Sequence, residues 1–305
     1  KQNINYLNKN PMSKLSTSKN KSTPIPTKLN EEDFNEFILP HLSMPKRGPK
    51  CKIGYHKIFN DILKVLYTGI QWKELPIERN LETGKPEIHY TNVYKHFAKW
   101  QADGSWERVF NSSIFFLKTQ ERLDTSIIHG DGSNTVAKKG GDGIGYSGHK
   151  HQKGEKTMTV VDNNGYILSP MTVDSVNRHD TTLLPKSLNH LMNLKKSISL
   201  ELNGTLFNLD SGFDSLVNRK YIFNRQMKPN IKENPRNRKS PKKGRKRLFD
   251  KEAYKLRFCV ERTFAWKDKF KRLLIRFETI QARYQAFKLI AYTLINIREF
   301  CCGTT

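Results

Sequence analysis

The spacing of large apolar residues changes period near residue 120, and that change limits what the chain can become. Phe59, Ile62, Leu63 and Leu66 recur at helical spacing, as do Val93, Phe97 and Trp100, and then Trp106, Val109, Phe110 and Leu117. From Thr125 the period falls to nearer two. The pattern predicts helices over residues 31 to about 118, a boundary at 119 to 124, and a unit of mixed strands and helices beyond it. In the helical part, Thr68-Gly69 through Pro76 reads as a helix stop and a tight reversal. His89 to Trp100 is then either the recognition helix of a helix-turn-helix or one member of a plain bundle. Lys46, Arg47, Lys50 and Lys52 would hold phosphate in the first case and form a basic loop in the second.

Beyond the boundary, Thr125 to Asp131 reads as a short strand that ends in a carboxylate and breaks at Gly132. Asp131-Gly132 alone is more often the signature of a turn. Gly204 to Asp210 repeats the plan, an apolar strand closing on an acid and small residues. Glu261 is the third acid, on a helical face with Phe258, Ala265 and Asp268. Such a placement suits a partner for a buried Arg or a ligand facing a cleft.

Between these acids the expected elements are a hairpin from Met158 through the Asp162 to Gly165 turn to Val173, and a helix from Asp180, as its cap, to about Met192. A strand to Asp210, a helix near Phe213 to Asn224 and a strand near Lys228 to Ile231 follow. Asp162 is expected to be a turn residue. Five glycines between residues 140 and 148 sit among Lys138, Lys139, Lys150, Lys153 and Lys156; Walker spacing is absent, and a flexible basic loop near DNA or a simple mobile connector is expected. Gln281 to Arg298 places Tyr284, Phe287, Ala291 and Leu294 on one face, to pack on the sheet or the Glu261 helix, or to form a dimer contact. Trp266 and Phe264 read as core anchors.

The order Asp131, Asp210, Glu261, with Tyr254, Arg257 and Glu261 spaced Tyr-x2-Arg-x3-Glu and followed by Arg-Thr-Phe-x-Trp, resembles the DDE transposases of bacterial insertion sequences, of the IS-five/IS-four type. The resemblance runs from about residue 45 to 298 and includes His-Gly-Asp-Gly-Ser, Val161 to Gly165 and Arg178-His-Asp180. The family commonly has a basic residue seven positions after the Glu; here that position is Asp268, flanked by Lys267 and Lys269. The resemblance implies an α/β fold, an RNase H-like catalytic domain over 121–300, preceded by a small all-helical DNA-binding domain over 31–120. The strand and helix order read above agrees with it.

It further implies Asp131, Asp210 and Glu261 as catalytic, holding two Mg²⁺ ions or Mn²⁺ in their place. Arg257 would pin a phosphate or orient Glu261, or simply form a helical ion pair with it, and Tyr254 would contact DNA. The implied reaction is nicking at terminal inverted repeats and strand transfer to target DNA, within a homodimer that joins two ends. A relic that binds the repeats without cutting is the alternative.

Charge is consistent with such a partner. Lys plus Arg number 54 against 29 Asp plus Glu, a net +25, which points to polyanions. Ten basic residues crowd residues 228 to 247 against the single acid Glu233; Lys242, Lys243, Arg245, Lys246 and Arg247 are its densest part, and with Lys267 and Lys269 they are the expected DNA contacts. Residues 1 to 30 are expected to be a disordered tail, basic arm or solvated. No apolar run of about 18 residues and no signal pattern occurs, so a cytoplasmic, nucleoid-associated protein with no membrane partner is expected. Cys51, Cys259, Cys301 and Cys302 lack C-x-x-C spacing and read as reduced thiols.

Overall fold

The computed structural model describes residues 24–45, 51, 53–148, 150–169, 172–234 and 247–301. The first 23 residues of the expected tail, the Lys46, Arg47, Lys50 and Lys52 cluster, Lys242, Lys243, Arg245, Lys246 and Cys302 lie outside the described residues. The rest of the tail is corrected, because Ile25 and Leu29 are buried in the core and the Leu29 N–H is held by Asn60.

Helices come first, as the period predicts. Helix α1 (Glu31–Phe37) starts where the Asn30 side chain accepts the Asp33 N–H, with three acids in the first turn to complement the helix dipole. Helices α2 (Tyr55–Thr68), α3 (Tyr90–Ala102) and α4 (Ser105–Thr119) bury the residues that set the pattern: Phe59, Ile62, Val93, Phe97, Trp106 and Phe110 are at most 1% exposed. Trp100 meets Trp106 edge-on, with centroids 5.4 Å apart.

Among the described residues the sheet has seven strands: β1 (Ile127–Ala137), β2 (Gly145–Ser147), β3 (Gln152–Asp162), β4 (Thr172–Ser175), β5 (Leu206–Leu209), β6 (Lys228–Ile231) and β7 (Ile275–Arg276). Its main order is β2-β3-β1-β5-β6. Strand β3 runs antiparallel to β1, whereas β5 and β6 run parallel to it. Parallel neighbours need a crossover: α5 (Asp180–Ile198) precedes β5, and α6 (Leu216–Phe223) joins β5 to β6. This mixed sheet of antiparallel then parallel strands, with helices between, is the RNase H-like α/β arrangement.

Four expectations are corrected here. Strand β1 does not break at Gly132; it continues to Ala137, because its second half pairs with β3 and, at Val136↔Ile275, with β7. The glycine-rich segment is only partly loop. Gly145 to Ser147 pair with β3, and a Cβ on Gly154 would stand 2.2 Å from the Thr135 carbonyl oxygen, so that glycine serves close strand approach. The hairpin forms, but β3 begins already at Gln152 and the return strand covers only Thr172–Ser175. The cap of α5 is His179, whose ring accepts the Thr181 N–H, and the helix runs to Ile198 through Pro185.

Helix α9 (Gln281–Ile297) is buried on nearly all sides from Tyr284 onward, the mark of a central helix. Phe287 stacks on Phe97 at 4.4 Å, and α9 also lies along α4, so one apolar core runs from the helical part into the sheet. A fully buried ion triad fastens α9 to β3. The Glu155 carboxylate takes Lys288 at 2.6 Å and Arg276 at 2.7 Å, while Lys288 also donates to Thr157. Among the described residues no helix is long and apolar enough to cross a membrane.

Candidate active site

Asp131 and Asp210 reach the same place from different strands. Gly130 pairs with Leu209 across parallel β1 and β5, and the two acids are the residues that follow each. Strand alternation puts Asp131 on the side of His129, and Asp210 on the side of Asn208. A Cβ on Gly130 would lie 2.7 Å from Leu209 Cδ2 and 2.9 Å from Phe207 Cε2, so a side chain there would have to displace these buried side chains beneath the acids. Asp131 Oδ1 accepts the Gly132 N–H and Oδ2 accepts Arg257 Nη2 at 3.0 Å; Asp210 Oδ1 accepts the Gly212 N–H at 2.8 Å.

The remaining groups come from two short helices, α7 (Lys251–Lys255) and α8 (Phe258–Lys267), with Arg257 at their junction. Helix α8 is seated on the turn after β3. Cys259 Sγ donates to the Asn163 carbonyl, Arg262 to Asn164 and Thr263 to Gly165. The face that holds Phe258, Glu261, Ala265 and Asp268 is its solvent face, and the Glu261 side chain is 67% exposed. Arg257 Nη2 lies 3.7 Å from Glu261 Oε1, so one guanidinium stands between the strand acid and the helix acid. Its Nη1 is buried without a hydrogen-bond partner among the described residues.

Tyr254, half-buried on α7, senses the whole group. Burial pushes its phenol above the ordinary range; Arg257 opposes the shift, and Asp210, Asp131 and Glu261 each add to it. All three expected acids therefore lie within electrostatic reach of one side chain.

The expected DNA contacts divide. Lys269 is exposed just past α8. Lys267 is 7% exposed, its Nζ 3.5 Å from Ser133 Oγ on β1, and burial drops its pKa to about 8. The expectation that it contacts DNA is corrected, because its side chain is buried with Nζ toward Ser133 and the Phe264 ring. Arg247 is likewise engaged, at 2.6 Å from the buried Asp214, which also binds Arg219. Asp162 is the turn residue expected of it: it accepts the N–H groups of Asp124, Asn164 and Tyr166.

No three His, Cys, Asp or Glu side chains stand at ion-holding spacing among the described residues. The donor set is nevertheless of one kind, three carboxylates with hard oxygens, and Glu261 is exposed enough to turn. Such donors suit Mg²⁺ or Mn²⁺ rather than zinc.

Sequence reading missed His129, Asn208 and Asn230, buried polar residues below the acids. A signal was present. His129-Gly-Asp131 and Asn208-Leu-Asp210 each place a polar side chain two residues before the acid.

Residues 122–296 match the family described as "Transposase DDE domain", and residues 31–110 the family described as "Putative transposase of IS4/5 family". The "Insertion element IS402 uncharacterized 16.2 kDa protein" of Burkholderia cepacia is 30% identical over 120 residues, which are 38% of this chain and 78% of that protein. Among solved structures, a piggyBac transposase synaptic complex with hairpin DNA aligns at 8% identity and a TM-score of 0.48, over 78% of this chain; this chain spans 62% of the length of that one. A Mos1 mariner paired-end complex with Mn aligns at 10% identity and a TM-score of 0.25, over 65% of this chain and 64% of that one.

Proposed function

The chain belongs to the DDE transposases of insertion sequences, and from that premise we propose that it cuts DNA at terminal inverted repeats and transfers the freed strand to target DNA. The observation that carries the site assignment is the placement of Arg257 between Asp131 and Glu261, beside a Tyr254 that feels all three acids.

Asp131, Asp210 and Glu261 are the side chains that would hold divalent cations, Mg²⁺ or Mn²⁺. Bound there, such ions would activate the attacking oxygen and neutralise charge on the phosphate and the leaving oxygen. The chain itself supplies the positioning. Arg257 keeps one guanidinium arm on Asp131 and has a buried donor, Nη1, to offer a phosphate oxygen. Tyr254 presents a phenol that stays protonated at neutral pH and donates a hydrogen bond to the same strand. Lys269 and the basic segment with Lys242, Lys243, Arg245 and Lys246 would run along the backbone, and the helical region, with α3 as reader, would find the repeat.

Joining two element ends calls for two copies of the chain on DNA. The three carboxylates with Arg257 support a chain that cuts; a relic that binds the repeats without cutting is the second reading, motivated by Asp268 at the position where the family commonly carries a basic residue. Cleavage of a labelled duplex carrying the terminal repeat tests the reading: cuts at the repeat boundary with Mg²⁺ or Mn²⁺, lost in EDTA and in Asp210→Ala while binding persists, are expected.

A further inference from the structure

We propose that a buried polar row, His129, Asn208 and Asn230, positions the helices that carry Tyr254, Arg257 and Glu261. The inference rests on the reading of Asp131, Asp210 and Glu261 as the reactive centre. The three residues lie side by side on β1, β5 and β6, in the registers His129↔Asn208 and Asn208↔Asn230, and are 0%, 0% and 2% exposed. Central parallel strands are normally apolar runs, and a buried amide is costly unless every arm is bonded. Here the arms are bonded, and the bonds have a direction.

Asn230 takes the Asp250 N–H on Oδ1 at 2.9 Å and donates through Nδ2 to Asn208 Oδ1 at 2.7 Å. Asn208 can then reach His129 only through its own Nδ2, 3.2 Å from the ring Nδ1. So Nδ1 accepts, and Nε2 holds the hydrogen that points to Asn163 Oδ1 at 3.3 Å. Asn163 passes the sequence on through Nδ2 to the Asp124 carboxylate. Five bonds thus run one way across the sheet, from a backbone amide at the start of α7 to a carboxylate ahead of β1.

Both ends of the row hold what places the site. Asn208 Nδ2 also donates to the Ala253 carbonyl at 2.7 Å, and Asn230 Nδ2 to the Asp250 carbonyl at 2.9 Å, which fixes α7. At the other end Asn163 is held, and its carbonyl receives Cys259 Sγ from α8. Helix α7 has five residues and no stability of its own, so its location is set by these bonds. Arg257 follows two residues after it, and its 3.0 Å approach to Asp131 depends on where α7 is pinned. These are positioning residues; none of them touches the reacting atoms.

The test uses the full chain and two variants. Asn208→Asp keeps the acceptor toward Asn230 and turns the donor toward Ala253 into an oxygen; Asn208→Leu removes both. Amide hydrogen exchange without DNA or metal is expected to quicken about tenfold over residues 251–261, the scale of one or two lost hydrogen bonds, and to stay unchanged in α5 and α9. At saturating repeat DNA the cutting rate is expected to fall about 100-fold, as for a displaced reacting group, while the binding constant holds.

Unchanged exchange over 251–261, or an equal rise in α5 and α9, would overturn the proposal, and so would a loss of DNA binding equal to the loss of cutting. If Asn208→Leu does not fold, Asn230→Asp, on the edge strand and still able to accept the Asp250 N–H, carries the same exchange test. Absence of cutting by the unaltered chain would count against the proposed function, and the exchange result would still decide the role of the row.

Discussion

Arg257 Nη2 lies 3.0 Å from Asp131 Oδ2, although 126 residues separate the two in sequence. The side chains are 14% and 19% exposed, which makes this a shielded pair. The helical neighbour Glu261 is at 3.7 Å and largely in solvent, where such a pair contributes at most about 1 kcal/mol. The Arg257 guanidinium is therefore tied first to the strand acid.

Replacing Arg257 by Lys keeps the charge and loses the fork. A compact ammonium cannot bond Asp131 and still present a second, fixed donor to a phosphate. Single-turnover cutting of terminal-repeat DNA is expected to fall about 100-fold in Arg257→Lys, on the scale of one lost transition-state donor, with binding little changed.

Glu155 binds both Arg276 and Lys288 inside the protein, and Arg276 also meets the exposed Asp142 at 3.1 Å. In Glu155→Gln Lys288 is left buried without a counter-charge among the described residues, and Arg276 keeps only the exposed Asp142. Unfolding in urea is expected to show a loss of about 3–5 kcal/mol, far more than a surface ion pair would give.

Lys267 gives a pH signature. Burial, with Lys288 nearby, lowers its pKa from 10.5 to about 8, against the smaller pull of Asp268 and Glu155. Between about pH 8 and 10.5 the unfolded chain binds more protons at this residue than the folded one, so its contribution to stability rises with pH across that window. Below it the penalty is constant. Lys267→Met is expected to unfold at a higher temperature than the unaltered chain at pH 7, with the gap closing as pH is raised to 10.

The basic segment is expected to act through phosphates. Removing Lys242, Lys243, Arg245 and Lys246 together should reduce the slope of log affinity against log salt by about 3 to 4, if each neutralises one phosphate of duplex DNA. Titrations at several salt concentrations check this.

The helical period made α2, α3 and α4 legible because each buries one stripe. The acids stood out through motif spacing. What lay hidden depends on pairing between distant segments. The extension of β1 past Gly132 comes from β3 and β7, and only the fold places Glu155 and Lys288 around Lys267. Asn208 and Asn230 are poor strand formers by type, and their value appears only when β1, β5 and β6 are in register. His179 is the cap ahead of Asp180, because an imidazole nitrogen can accept the Thr181 N–H.

The most direct test of the central claim is cutting of a labelled terminal-repeat duplex by the unaltered chain and by Glu261→Gln, each in Mg²⁺, Mn²⁺ and EDTA. Metal-dependent cuts at the repeat boundary in the first, and none in the second despite equal DNA binding, are the predicted result. Cuts of equal rate in Glu261→Gln, or tight binding with no cut by the unaltered chain in either metal, would contradict the account.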